Sequence, residues 1–142
     1  VSDYDKGFIS YQDIEDLIQG VPCPVFIDTK KKDLARFEGA FVKVNSLERA
    51  AASSLCSNLI VTQGNKGALY QNVVYPTVPV EVTDVCGAGD TFLASLVYEY
   101  LNTRSIEQAI RFANIASAIT VTKNGVYAPS LDEIKRIIHE QN

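Results

Sequence analysis

The sequence predicts an α/β fold built on a layered sheet, and three observations carry that prediction. Short apolar runs ending in polar residues fill the first half, a proline-interrupted stretch rich in β-branched residues follows, and amphipathic helical patterns fill the last third. Pieces in this order suit strands laid side by side with helices packed on them.

Ile14, Leu17 and Ile18 recur at helical spacing between Ser10, a cap, and Gly20, a stop, so a short helix is expected there. Pro22 and Pro24 turn the chain into Val25-Phe26-Ile27-Asp28. Phe41-Val42-Lys43-Val44 repeats the pattern before Asn45, and Asn58-Leu59-Ile60-Val61-Thr62 is another such run. The polar ends of these strands would emerge at one edge of a sheet. Gly64 and Gly67 mark a turn into Ala68-Leu69-Tyr70-Gln71. From Val73 to Val85, Pro76 and Pro79 confine the chain to an edge or irregular strand.

Phe92, Leu93, Leu96, Val97, Tyr100 and Leu101 recur in pairs four apart, the mark of a helix with a wide apolar face. Ser105-Ile106-Glu107-Gln108 reads as a capping box opening a helix with Ala109, Ile110, Ala113 and Ile119 inward, ending near Lys123-Asn124-Gly125. Ser130-Leu131-Asp132-Glu133 reads as another, opening a terminal helix with Ile134, Ile137 and Ile138 on one side. No internal repeat, low-complexity tract or linker interrupts the pattern.

A chain of 142 residues with 46% apolar and 21% charged residues has material for a core and too little charge for disorder. Thirteen Lys+Arg against seventeen Asp+Glu leave a net charge of −4, so nucleic acid is excluded as an expected partner. No apolar run approaches the ~20 residues that span a bilayer, and no basic-then-apolar leader opens the sequence, so a soluble, cytoplasmic protein without a membrane partner is expected. Cys23, Cys56 and Cys86 are odd in number and far apart, which suits reduced thiols. Only His139 could join them in a zinc site, and no C-x-x-C pair exists; near a helix end, His139 suits a favourable dipole contact. The absence of any Met predicts a segment, a processed product or an edited chain.

The most informative stretch is Asp84-Val85-Cys86-Gly87-Ala88-Gly89-Asp90-Thr91-Phe92, where a β-rich segment gives way through small residues to an amphipathic helix. Backbone N–H groups of Gly87, Ala88 and Gly89 could face an anion closely, and the helix N-terminus adds about half a positive charge. Asp90 is then either a dipole-stabilised cap or a base beside a held phosphate. A weak base suffices for phosphoryl transfer, whose loose transition state asks for positioning more than early proton removal. Taken alone, the string also reads as an ordinary capped turn. A dinucleotide fingerprint would need a small residue in place of Phe92, and the Gly-Lys-Ser/Thr ending of a P-loop is missing.

The run from Asp84 to Ala94 resembles the carboxyl-terminal signature of the ribokinase-like sugar kinases, the PfkB family, with Ser95 where that pattern prefers Ala or Gly. Asn45-Ser46-Leu47-Glu48 resembles its N-x-x-E motif, Thr62-Gln63-Gly64-Asn65-Lys66-Gly67 its nucleotide-site strand and turn, and Phe112-Ala113-Asn114 its adenine-side helix, all in family order. The stretches Ser2 to Gly7, Phe26 to Lys30 and Arg36 to Ala40 are similar to the heptose 7-phosphate kinases. That group usually reads Asp-Pro-Lys where Thr29 stands, and Thr-Pro-Asn where this chain has Lys43-Val44-Asn45.

The resemblance implies a ribokinase-like α/β/α sandwich, with residues 1–142 as a single partial domain: the nucleotide-binding carboxyl-terminal portion, without the amino-terminal substrate and lid part. It implies ATP and Mg²⁺ as cofactors, with K⁺ optional. Asp90 would be the general base and the turn from Gly87 through Ala88 to Gly89 the anion hole. Asn45, Thr62, Gly64, Gly67 and Asn114 would line the nucleotide, and Glu48 would reach Mg²⁺ through water. Asp84 and the Cys86 carbonyl match positions of a monovalent-cation site. Asp3, Lys6, Asp28 and Lys30, at or beyond strand ends, are the substrate-side candidates, while Lys31, Lys32 and Asp33 read as solvated surface charge. For each, a structural role stands beside the functional one: Asn45 and Glu48 also spell a capping box, Asn114 also reads as a helix-face amide, and the glycines also suit a plain turn.

Arg49 to Ser57 replaces a longer helical connection found in relatives. An open sheet edge and uncovered apolar surface are expected where the missing part would dock. Two functions follow: an ATP-dependent sugar or sugar-phosphate kinase that leaves room for a homodimer, or a truncated, non-catalytic module that binds nucleotide or a partner chain.

Overall fold

The computed structural model describes residues 1–140. They group into two compact units, Val1–Gln63 with Leu69–Val74, and Gly64–Ala68 with the chain from Tyr75 onward.

The first unit carries most of the sheet. Strands β1 (Ser2–Asp3), β2 (Phe26–Thr29), β3 (Phe41–Asn45) and β4 (Leu59–Thr62) pair in parallel. With β5 (Ala68–Tyr70) and β6 (Val73–Tyr75) they form a six-stranded sheet in the order β1-β2-β3-β4-β5-β6. Spatial order repeats chain order, and β1 is an edge strand, as expected of an open sheet. Parallel strands need crossovers. These are α1 (Tyr11–Gly20), a 3-10 turn (Leu34–Phe37) and α2 (Ser46–Ala51). The β5–β6 hairpin turns on Gln71 and Asn72, with φ of 47° and 64°, the left-handed pair that a tight primed turn demands.

Ser10 caps α1 reciprocally: its Oγ accepts from the Asp13 N–H at 3.1 Å, and the Asp13 carboxylate accepts from the Ser10 N–H at 2.8 Å. Gly20, expected as a stop, is the last helical residue, and Val21 is the cap. Ile14, Ile27, Leu34, Phe37, Val42 and Val44 form the buried heart of this unit. Their side chains come from strands buried on both faces, as parallel sheets require, and from the segments that cross over them. The Arg49-to-Ser57 connection is the end of α2 plus a loop, held where the Ser53 N–H donates to the Lys32 carbonyl at 2.8 Å.

Lys31 corrects the sequence reading. Expected in solvent, it is only 6% exposed, with Nζ 2.7 Å from Asp5 and 3.4 Å from Asp3. It lies just beyond β2, and the carboxylates at and after the end of β1 draw it inward. Burial alone would lower its pKa; the bond to Asp5 and the charge of Asp3 outweigh burial and hold it above the ordinary lysine value.

The second unit is helical: α3 (Ala88–Thr103), α4 (Ile106–Val121) and α5 (Leu131–Glu140). Val78, Phe112, Ile115, Ala116, Ile119 and Ile134 are among its core. Of the edge or irregular strand expected from Val73 to Val85, only Val73–Tyr75 forms, as β6 at the end of the sheet, and from Pro76 to Gly87 no strand follows. The Ser130 box closes in both directions, Glu133 N–H to Ser130 Oγ at 3.3 Å and Ser130 N–H to the Glu133 carboxylate at 2.8 Å. At Ser105 only half of the predicted box forms among the described residues, from the Gln108 N–H to Ser105 Oγ at 3.3 Å. Among the described residues, no helix is long and apolar enough to cross a membrane.

Candidate active site

The second unit holds the glycine turn. Gly87 is the N-cap of α3, with φ 76° and ψ −1°, and an added Cβ would lie 3.4 Å from the Val126 side chain. No side chain caps this helix. The Ala88 N–H turns back to the Val85 carbonyl at 3.3 Å, and the Thr91 N–H closes the first helical bond to Gly87 at 2.9 Å. Of the expected trio, the N–H groups of Gly87 and Gly89 stay without a protein partner among the described residues, and that of Ala88 is engaged. The Asp90 N–H, which sequence reasoning missed, is also unpartnered there. Free N–H groups and the helix dipole together make this end attractive to an anion.

The exposed Asp90 carboxylate stands in that first turn, on the wall of an open cleft of about 410 Å³ shared with Thr91, Tyr98, Phe112, Tyr127 and Pro129. Asp84 braces the loop leading in. One of its oxygens accepts from the Cys86 N–H and the other from Gly125 N–H, each at 2.9 Å. These backbone donors hold its pKa below the usual carboxylate value. Cys86 is an exposed free thiol. Gly64 has φ 60° and open space around it, whereas Gly67 packs against the backbone of Tyr75, Pro76 and Thr77. Asn114, buried at 4% exposure, donates from Nδ2 to the Tyr75 carbonyl at 2.8 Å, and its backbone carbonyl accepts from the Thr77 hydroxyl at 3.1 Å. Gly67 and Asn114 therefore converge on one short segment of chain.

In the first unit the remaining candidates gather at the carboxyl ends of parallel strands, where open α/β sheets bind ligands. Asn45 and Thr62 are register partners on β3 and β4. Asn45 Oδ1 accepts from the Glu48 N–H and Glu48 Oε2 from the Asn45 N–H, both at 2.8 Å, so the capping box is built. It uses one oxygen of each side chain. Thr62 Oγ1 donates weakly to the Val44 carbonyl at 3.4 Å. Asp3 is buried and accepts from the Thr29 hydroxyl at 2.8 Å; Asp28 accepts from Lys43 Nζ at 2.8 Å. Lys6 is exposed, and Lys30 lies 5.2 Å over the ring of Tyr4. No group of three or more His, Cys, Asp or Glu among the described residues could hold a metal directly. The second oxygen of Glu48 suits a water-mediated contact to Mg²⁺, which keeps much of its hydration shell.

Residues 8–134 match the model of the pfkB family of carbohydrate kinases. The chain belongs to that family. The bifunctional protein HldE of a Nitratiruptor species is 33% identical over 159 aligned positions, covering 95% of this chain and 34% of that protein. This chain thus spans about a third of the length of the curated relatives it matches. A ribokinase from Thermotoga maritima superimposes with a TM-score of 0.78 at 18% identity, over 97% of this chain and 56% of that one. A ribokinase from Arabidopsis thaliana, solved with ribose and ATP, gives 0.72 at 20%, over 90% and 51%. At such identities the likeness shows the fold, and the fold is ribokinase-like.

Proposed function

We propose that the chain is the nucleotide-binding and phosphoryl-transfer portion of a carbohydrate kinase acting on a phosphorylated sugar of the heptose 7-phosphate class. The uncapped N-terminus of α3, with Asp90 in its first turn, carries the reading; membership of the pfkB family and the relatives named HldE support it. Asp90 takes the proton from the attacking sugar hydroxyl as that oxygen bonds to the γ-phosphorus and the bond to the bridging β,γ-oxygen breaks, releasing ADP. The N–H groups of Gly87, Gly89 and Asp90 take up the charge developing on the transferred group. Asn45, Thr62 and Gly64 approach the nucleotide, and Glu48 holds water of the Mg²⁺ shell. The metal, when bound, neutralises phosphate charge. Gly67 and Asn114 act through the Tyr75–Thr77 segment that they hold, and Asp84 with the Cys86 carbonyl is the place for a monovalent cation. Asp3, Lys6, Asp28 and Lys30 are the residues assigned to the substrate side.

The test is ADP formation from MgATP with heptose 7-phosphate, beside nucleotide affinity by calorimetry. Asp90→Asn should lower turnover by about 10²- to 10⁴-fold and leave affinity within a few-fold. Nucleotide binding with no turnover on any sugar would favour a non-catalytic binding module. No binding at millimolar MgATP or MgADP would sink both readings.

A further inference from the structure

Two hydroxyls on α4 face the first turn of α3. Ser117 Oγ donates to the Ala88 carbonyl at 3.0 Å. Thr120, fully buried, brings Oγ1 within 3.2 Å of the Thr91 hydroxyl, 3.2 Å of the Ala116 carbonyl and 3.1 Å of the Tyr127 carbonyl. Residues three apart share one helix face, so both hydroxyls act on the same neighbour.

Their effect follows from peptide geometry. The Ala88 carbonyl and the Gly89 N–H belong to one planar trans unit, in which C=O and N–H point in opposite directions. As the first carbonyl of α3, the Ala88 oxygen also accepts the helical bond, so Ser117 is a second hold on a plane whose Gly89 N–H points outward from the open end of the helix. Thr120 completes the fixation. Its one hydroxyl hydrogen has the Thr91 hydroxyl and the Ala116 and Tyr127 carbonyls all within hydrogen-bond reach, so Thr120 ties the side chain of Thr91 to the α4 backbone and to Tyr127. Asp90 lies between the two anchored residues, Gly89 and Thr91.

We propose that Ser117 is a positioning residue for the phosphate turn, orienting the Gly89 N–H, with Thr120 anchoring the next residues of the same turn. This rests on the kinase reading above, since it assigns the turn a phosphate to meet. Sequence patterns hid both groups, because they sit as small hydroxyls within an otherwise apolar stripe.

The experiment uses the whole chain, its Ser117→Ala variant and a hydroxyl-restoring Ser117→Thr variant. MgADP affinity is read by calorimetry and the Gly89 N–H order parameter by NMR. Ser117→Ala should weaken affinity about three- to tenfold, the loss of one hydrogen bond. It should also drop the Gly89 order parameter from the rigid range near about 0.85. Ser117→Thr should restore both. An unchanged order parameter in Ser117→Ala overturns the proposal, as does a lowered one with unchanged affinity. A parent chain that binds no nucleotide overturns the kinase reading and the functional half of this one, while the order parameter still decides whether Ser117 sets the peptide plane.

Discussion

A side chain at Gly67 would run into the carbonyl oxygen of Tyr75, and that same oxygen accepts from Asn114 Nδ2 at 2.8 Å. A glycine that looked like room for a ligand is room for the chain itself. Gly67→Ala should therefore cost more than about 3 kcal/mol, combining backbone clash with left-handed strain at φ 93°. Gly64→Ala, with nothing within 4 Å at φ 60°, meets strain alone and should cost about 1 to 2 kcal/mol. Urea unfolding of both variants checks the contrast; equal losses would refute it.

The buried Lys31 invites a second measurement. Lys31→Met leaves Asp3 buried without its cation and should destabilise by about 3 to 5 kcal/mol, whereas replacing Asp3 and Lys31 together by apolar residues should cost much less. The folded pKa of Lys31 is raised, so its stabilisation is complete below the ordinary lysine value and fades as pH climbs through the folded one. Thermal midpoints from about pH 8 to 12 should fall for the parent in that alkaline window, and less for the double variant.

Asp84 behaves with the opposite sign. Its folded pKa is depressed by the Cys86 and Gly125 N–H groups, so its contribution is present above the ordinary carboxylate value and disappears as pH falls through the lower folded value. Asp84→Asn should be less stable than the parent at neutral pH and lose less between about pH 5 and 2. Parallel acid profiles for the two proteins would count against the brace.

The thiols should separate by burial. Cys23 and Cys86 are exposed, while Cys56 is buried and burial pushes its pKa up to about 11. A chromogenic disulfide reagent at about pH 8 should modify Cys23 and Cys86 promptly and reach Cys56 only on unfolding. Peptide mapping after brief labelling reads the outcome directly.

The longer elements were legible because their periods are long enough to count: α1, α3, α4 and α5 all form where their apolar spacing places them. Strand β1 was not, because two residues carry no alternation, and the 3-10 turn Leu34–Phe37 has no distinctive cap. For the candidate site, spacing located Asp90 and its turn but could not say which N–H groups remain free, since that depends on the Ala88 bond to Val85. Nor could it show that Asn114 faces the Tyr75–Pro76 backbone, a pairing between distant parts of the chain with no local signature. Lys31 misled because a charged residue next to Lys32 and Asp33 looks solvated until the end of β1 is placed beside it.

Because each strand lies against its predecessor, no connection passes over a strand it does not join. The link between β3 and β4 can then shorten or grow without rethreading anything else. The sheet is modular at its loops, so evolution or design can trim this connection while the strands keep their partners.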